Sequence, residues 1–260
     1  MKLPLPLLIL ACHLTWSLTT SEAALVAGWD FQGTTAAVPI GTAISMPPNT
    51  PRDFTANAGV FQATSHLFFD GTNGSSSFFV GTANDNSELG ALNGITANTD
   101  GTTFSQAVNT PAGAGSVALF NRGSIDGKSA VFRLAMTGYQ DLQFSFAVQR
   151  PASAAGDYGV SLFSFSYSTD GNTFLPWGSI DTGKGISISN TAFSMPTTLS
   201  AVNDAPTVFL KMTVSDSTGG KNSTRIDNIQ LNAAAIPEPS VVCSVLLGAG
   251  MLACRRGSRR

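Results

Sequence analysis

The residue types that usually carry hydrolytic chemistry are scarce between residues 24 and 236 of this 260-residue chain. That segment contains one histidine, His66, and one glutamate, Glu88. A Ser-His-Asp triad would need His66, which precedes the apolar residues 67–69 and is better placed at the start of a strand. No serine lies in a Gly-x-Ser-x-Gly sequence. We therefore assign no catalytic residue.

Aspartate is the abundant titratable residue. The 16 acidic residues include three glutamates, which leaves thirteen aspartates, several of them in turn sequences. A pair of carboxylates can hydrolyse a glycosidic bond. A secreted carbohydrate-active hydrolase that uses aspartates is therefore the alternative to a non-catalytic protein, which would either bind glycan or be a structural component.

A bound cation would depend on oxygen ligands, because none of the three cysteines lies between residues 24 and 236. This favours calcium over zinc as the one cofactor to consider. Asp30, in the predicted first strand, and Asp227, in the last, are the candidate calcium ligands, which requires these two strands to be close together. In the alternative interpretation, Asp227 pairs with Arg225 or caps a turn. The oxygen-rich run 84–88 lacks the spacing of an EF-hand and is interpreted as a solvated loop.

Two tryptophans could stack on sugar rings. Trp29 lies between Gly28 and Asp30 in the predicted first strand, and this position favours the hydrophobic core. Trp177 follows Pro176 near a predicted strand end. It is the candidate glycan-binding residue.

The charge balance restricts the partners. Removing Lys2 and the four terminal arginines leaves 9 cationic residues, and removing Glu22 and Glu238 leaves 14 acidic ones. The resulting net charge of about −5 disfavours nucleic acid, whose binding needs a basic surface. It also favours a neutral glycan over a polyanion, unless calcium bridges the two.

Four segments alternate apolar and polar residues with a period of two, as strands with one buried and one solvated face do. Four Asp-Gly pairs favour tight turns, and no segment has a sustained helical period. The chain therefore predicts an all-β protein of roughly ten to thirteen antiparallel strands in a sandwich or barrel. The apolar positions are 132, 134 and 136; 142, 144, 146 and 148; 163, 165 and 167; and 208, 210, 212 and 214, and the Asp-Gly pairs begin at 70, 100, 126 and 170.

A single domain over residues 24–232 is expected, because no clean linker divides this stretch. The Pro-rich segment Gly33–Ala58 is expected to be a long loop or an edge crossing, since proline resists central strands. Ala233–Ala235 would be a short tether, which opens the tail segment 233–260. We expect a monomer.

Residues 1–23 have the features of a secretory signal peptide. Lys2 provides a positive start, residues 3–14 are apolar, and Ser21-Glu22-Ala23 offers small residues for cleavage after Ala23. A membrane anchor is the alternative, but the apolar run is well short of the roughly 20 residues that span a bilayer.

The C-terminal end has three parts in a fixed order. Pro237, Glu238 and Pro239 are followed by the apolar run Val241–Ala253 and by a basic terminus. As a helix, thirteen apolar residues would reach about 20 Å, less than a hydrocarbon core of roughly 30 Å. We expect a short hydrophobic helix that enters the membrane transiently, with its basic end in the cytoplasm.

This tail resembles the PEP-CTERM sorting signal of exported bacterial proteins. The resemblance rests on Pro237, Glu238 and Pro239, on the apolar run, and on the arginines that begin with Arg255 and Arg256. It implies that an exosortase recognises and removes the tail. It also implies delivery to the cell surface or to the exopolysaccharide matrix of a Gram-negative-type bacterium.

Three further segments resemble a jelly-roll domain found in many such exported proteins. They are Ala27–Phe31, Tyr167–Phe174 and Arg225–Ile229. The resemblance implies a single antiparallel β-sandwich of jelly-roll type between the two end segments. It implies no activity.

Overall fold

The computed structural model describes residues 23–29, 53–69, 73, 89–93, 115–120, 126–150, 159–216 and 223–237. Residues Ala23–Ala234 form one compact unit. The described ranges contain twelve strands and two short 3-10 helices, Gln62–Thr64 and Ser200–Val202. The strands are β1 (Ala23–Trp29), β2 (Asp53–Thr55), β3 (His66–Phe68), β4 (Leu89–Asn93), β5 (Gly115–Phe120), β6 (Ser129–Leu134), β7 (Tyr139–Arg150), β8 (Leu162–Ser168), β9 (Leu175–Asp181), β10 (Ile188–Ser194), β11 (Val208–Ser215) and β12 (Ser223–Ala235).

The strands form two six-stranded sheets. The first has the order β10-β7-β12-β5-β4, and β1 also pairs with β12. The second has the order β2-β3-β6-β11-β8-β9. Each pair whose register is described is antiparallel. The all-β prediction is confirmed, and the twelve strands of the described ranges fall within the expected number.

The inward faces of the two sheets share one hydrophobic core. The ring of Phe144 on β7, in the first sheet, lies 4.7 Å from that of Phe165 and 5.3 Å from that of Phe132, both in the second. Phe146 on β7 lies 5.0 Å from Phe163 on β8. These contacts place the sheets face to face, as in a β-sandwich. The apolar positions of all four predicted segments are buried or packed against this core, which confirms their assignment.

Two strands of the first sheet lack the expected solvated outer face. Ser145 and Ala147, on the outward side of β7, are fully buried. On β12, Asn228 has a φ of +48°, and the buried apolar positions change parity there, from Ile226 to Ile229. Because side chains alternate with a period of two, this change marks a bulge. The residue pattern alone did not reveal it.

One boundary expectation needs correction, and another is met in part. Ala233–Ala235, expected as a tether, are the last residues of β12, and Ala234 is in register with Ala23 of β1. Alanine carries no strong strand signal, but its backbone groups still pair when a neighbouring strand is present. Of the segment Gly33–Ala58, expected as a loop or edge crossing, residues 53–55 form the edge strand β2, and residues 30–52 lie outside the described ranges.

Two of the four Asp-Gly pairs lie in the described ranges, and both form turns. Gly127 and Gly171 have φ values of +80° and +75°, a conformation that glycine adopts without the steric penalty of a side chain. The Asp170-Gly171 turn joins β8 to its antiparallel neighbour β9. The pairs that begin at residues 70 and 100 lie outside the described residues.

In the part of the chain that the structure describes, no helix is long and apolar enough to cross a membrane. The expected sorting helix at Val241–Ala253 lies outside that part, so it has no structural support. The expected signal peptide also lies outside it, apart from Ala23, which is the first residue of β1.

Candidate functional site

Trp29 belongs to the core, as predicted. Its side chain is 1% exposed, and its ring meets that of Phe132 edge-on at 5.4 Å. The indole Nε1–H donates a hydrogen bond to the backbone carbonyl of Phe54 at 2.8 Å. This bond ties β1 of the first sheet to β2 of the second.

Trp177 lies at an irregularity of β9, where the register with β8 shifts between Phe165 and Ser166. Its side chain is half-buried, and its ring packs edge-on against Phe165 at 6.2 Å. The indole nitrogen is buried and has no hydrogen-bond partner among the described residues. Trp177 therefore presents only part of its ring to solvent. Leu175 on the same strand is 51% exposed.

The structure describes one of the two candidate calcium ligands, Asp227. Asp227 on β12 is buried, and its Oδ1 accepts a hydrogen bond from the backbone N–H of Asn228 at 2.7 Å. Asp30 lies outside the described residues, but Trp29 before it is in register with Ile229. The first and last strands are thus neighbours, as expected. This bond to the next residue is local, at the bulge of β12. It is similar to the bond expected if Asp227 capped a turn, which is the alternative to a calcium ligand.

His66 begins β3, as predicted from the apolar residues that follow it. Its ring stacks on that of Phe68 at 5.8 Å, with 16° between the ring planes. The guanidinium carbon of Arg133, on the neighbouring strand β6, lies 5.4 Å from the centre of the same Phe68 ring. His66 is thus part of a packed aromatic surface on the outer side of the second sheet.

The residues of the expected sorting motif lie at or beyond the C-terminal end of β12. Pro237 is exposed, two residues after the end of that strand. Glu238, Pro239, Arg255, Arg256 and the oxygen-rich run 84–88 are outside the described residues. Within the described ranges, no three His, Cys, Asp or Glu side chains come together as a metal-binding group.

Arg150, at the end of β7, is a fully buried cation that the sequence reasoning did not find. Its guanidinium donates hydrogen bonds to the Val160 carbonyl at 3.3 Å and to the Thr182 carbonyl and hydroxyl at 3.2 and 2.8 Å. Burial lowers the pKa of Arg150, and the charge of Asp181 opposes this shift. The side chain thus crosslinks one end of the sandwich through neutral acceptors.

A second feature missed by the sequence reasoning lies on the outer face of the second sheet. Arg133 on β6 is in register with Phe209 on β11, and Lys211 follows on the same face of β11. The Lys211 Nζ lies 3.8 Å from the centre of the Phe174 ring. All four side chains are half-buried. We call Arg133, Phe174, Phe209 and Lys211 the cationic-aromatic patch.

One sequence signal could have indicated this patch. Phe209 is a large aromatic residue at a position of β11 whose parity is otherwise polar, between the buried Val208 and Leu210. Its partner Arg133 lies 76 positions earlier in the sequence. Pairing between such distant segments depends on the strand order, which alternation does not supply.

No protein-family model matches the chain, and no curated protein sequence matches it. Similar solved structures include the K1 cleaved adhesin domain of Lys-gingipain from Porphyromonas gingivalis W83, with 13% identity, a TM-score of 0.35, and coverage of 74% of this chain and 98% of that chain. An arabinose-bound α-L-arabinofuranosidase has 10% identity and a TM-score of 0.34, with coverage of 56% and 22%. The isomalto-dextranase of Arthrobacter globiformis T6, complexed with panose, has 13% identity and a TM-score of 0.34, with coverage of 56% and 21%. The chain thus spans about a fifth of the length of these two enzymes. These values describe distant structural similarity, and the named activities belong to those proteins.

Proposed function

We propose that this protein is an exported, non-catalytic β-sandwich of the bacterial cell surface or exopolysaccharide matrix, where it binds polysaccharide. An exosortase would act on the C-terminal tail of its membrane-inserted precursor. The fold would be of jelly-roll type. In support of that topology, the chain alternates between the sheets from β6 to β8 and again from β10 to β12.

The observation that carries the proposal is the position of the two ends of the folded unit. Ala23, the expected last residue of the signal peptide, begins β1, and Ala234 lies opposite it on β12. Pro237, the first residue of the expected sorting motif, is exposed just beyond β12. Removing everything beyond the motif would therefore leave every described strand intact. This supports a tail that is processed without unfolding the domain.

Polysaccharide binding is supported by partly exposed rings at the surface of the sandwich. Trp177 on β9 offers part of its indole, and Leu175 beside it is exposed. Aromatic rings and apolar side chains can pack against the C–H faces of sugars, which are themselves partly apolar. The edge of the second sheet at β9 is therefore the proposed contact for neutral glycans.

Processing of the tail should be visible in the protein recovered from the cell surface. We expect mass spectrometry to find a C-terminus between Pro237 and Ser240, because the motif would direct cleavage there. Glu238→Ala should leave the tail attached, whereas Ser258→Ala, in the tail but outside the motif, should be processed normally. Recovery of most surface protein with Arg259 and Arg260 still present would contradict the proposal.

Trp177→Ala should weaken retention on a column of neutral glycan about fivefold, if the stacking contact contributes about 1 kcal/mol. Because the ring also packs on Phe165, this variant should melt at a lower temperature, so Trp177→Phe is the better-folded companion. Val60→Ala, which removes apolar area from an exposed side chain just before the helix Gln62–Thr64, is the control.

If the control variant loses retention and Trp177→Ala does not, the glycan contact lies away from Trp177. If the unmodified protein is not retained on any neutral glycan, binding at β9 is wrong. Release of reducing sugar during the assay would replace the non-catalytic proposal with the hydrolase alternative.

A further inference from the structure

The cationic-aromatic patch places positive charge between partly exposed rings. Arg133 and Phe209 are direct neighbours on paired strands, and Lys211 is diagonal to Arg133, at roughly 7–8 Å between such Cα positions. The Phe174 ring lies against the Lys211 ammonium. The Arg133 guanidinium lies over Phe68 on its other neighbour, β3. Each of the two cations of this sheet face therefore contacts an aromatic ring.

The patch is held in place by the turn between β8 and β9. A Cβ added at Gly171 would lie 3.2 Å from atoms of the Phe209 ring, so this ring packs directly over the turn. Phe174 follows three residues later and reaches Lys211. Because a strand and a fixed turn both position the rings, the patch needs little ordering to bind a ligand.

The two cations of the patch contact aromatic rings and no carboxylate among the described residues. Within the described ranges, neither Arg133 nor Lys211 forms an ion pair, in contrast to Lys184, which pairs with Asp216. The carboxylate of Asp170, in the adjacent turn, accepts hydrogen bonds from the Ser168 hydroxyl and from two backbone N–H groups. These bonds lower the pKa of Asp170 to about 2, so Asp170 remains an anion, and they direct its Oδ1 to the turn and not to Arg133 or Lys211.

Lys211 is also partly removed from water. Burial lowers the pKa of its ammonium group, so the protein disfavours the charged form there. A carboxylate from a ligand would favour that charged form and replace the lost hydration.

We propose that the cationic-aromatic patch binds a carboxylate-bearing polysaccharide, whose sugar rings pack on Phe174 and Phe209 while its carboxylates pair with Arg133 and Lys211. A uronate residue combines a C–H face with a carboxylate, and the patch offers a partner for each. An acidic peptide has the charge without the repeated ring faces. The inference rests on the proposed function, because it names a chemical class of matrix polysaccharide. It adds a contact for acidic polysaccharide to the neutral-glycan contact proposed at β9, because local positive charge attracts carboxylates although the net charge of the segment is negative.

The test is calorimetric titration of the detergent-solubilised full chain with polygalacturonate. Its fully methyl-esterified form, which has the same backbone without charge, and poly-glutamate, which has charge without sugar, are the matched ligands. Polygalacturonate should bind at least about fivefold more tightly than either, as expected for one or two partly exposed ion pairs together with ring contacts.

Arg133→Gln and Lys211→Gln should each weaken binding of polygalacturonate about two- to fivefold, and the double variant about tenfold. Arg133→Lys should lose less, because it retains the charge. Lys184→Gln makes the same charge change at a site that pairs with Asp216, five residue steps and about 16 Å along the chain from Lys211, and should bind normally. Thermal melts establish that each variant is folded.

Equal binding of the esterified polymer, equal binding of poly-glutamate, or an equal loss in Lys184→Gln would each overturn the inference. If neutral glycans are retained through Trp177 but polygalacturonate is not bound, the inference fails and the proposed function stands. If no polysaccharide of either kind binds, both fail.

Discussion

Replacing Phe144 with alanine is expected to lower the free energy of unfolding by about 3–5 kcal/mol. Phe144 is fully buried, and its ring contacts Phe132 and Phe165 on the opposite sheet and Phe146 on its own strand. Removing it would leave a cavity at the point where the two sheets meet. Neighbouring rings cannot fill such a cavity without moving the strands that carry them.

Urea denaturation of the detergent-solubilised full chain, followed by circular dichroism, would measure this loss. Phe209→Ala is the matched control, because it removes the same side chain from a half-buried position on the outer face of the second sheet. Its loss should be clearly smaller. A near-neutral result for Phe144→Ala would mean that the inward faces of the sheets are assigned incorrectly.

The buried faces of the central strands could be predicted because each repeats the same two-residue pattern. On β11, Val208, Leu210, Met212 and Val214 are all fully buried, and the residues between them are half-buried. Burial of alternate positions is a local property, so a single segment reveals it. The start of β3 at His66 and the burial of Trp29 were predictable from the residues next to them in the sequence.

Features that depend on pairing between distant segments could not be predicted. The last alanines of β12 are ordered against β1, more than 200 positions earlier, and their sequence carries no sign of it. The bulge at Asn228 depends on a single positive φ. Trp177 was expected at the surface, but the ring of Phe165 on the neighbouring strand half-buries it. In each case the missing information is which strand pairs with the segment.

The net charge of residues 24–236 also gave no indication of the cationic-aromatic patch. A total of about −5 predicts weak binding of polyanions, yet the sheet places Arg133 and Lys211 at diagonal positions of two paired strands. A total averages over the whole surface, whereas a ligand responds to charges within about a Debye length. The strand order, which brings β6 beside β11, creates the local positive charge.

The burial of Arg150 also could not be predicted from the sequence. Charged residues are rarely fully buried without a partner, and nothing in its sequence context at the end of β7 marks it as an exception. Its acceptors come from Val160 and Thr182, which precede β8 and follow β9. The Val160 carbonyl also accepts a hydrogen bond from the Thr224 hydroxyl at 3.0 Å. The arginine therefore joins segments from both sheets.

Arg150→Ala is expected to lower the free energy of unfolding by about 2–5 kcal/mol, the range for large buried side chains cut back to alanine. The variant leaves a cavity and takes a donor from the Thr182 carbonyl, while the Val160 carbonyl keeps its bond from Thr224. Arg150→Met should lose much less, because it fills most of the space and removes a charge that is costly to bury.

The same urea measurements, with Thr182→Val and the double variant Arg150→Met/Thr182→Val, would separate packing from hydrogen bonding. Thr182→Val removes the hydroxyl that accepts from Arg150 and donates to the Ser161 carbonyl, and should cost about 1–2 kcal/mol. The double variant should lose less than the sum of its parts, since both changes remove the same bond. Lys184→Ala, at a cation whose side chain is 55% exposed, should change stability by less than about 1 kcal/mol.

Equal losses in Arg150→Ala and Arg150→Met would show that the hydrogen bonds of the guanidinium, and not its volume, hold this end of the sandwich together. A loss below about 0.5 kcal/mol in Arg150→Ala, which is typical of a surface position, would contradict its placement in the interior.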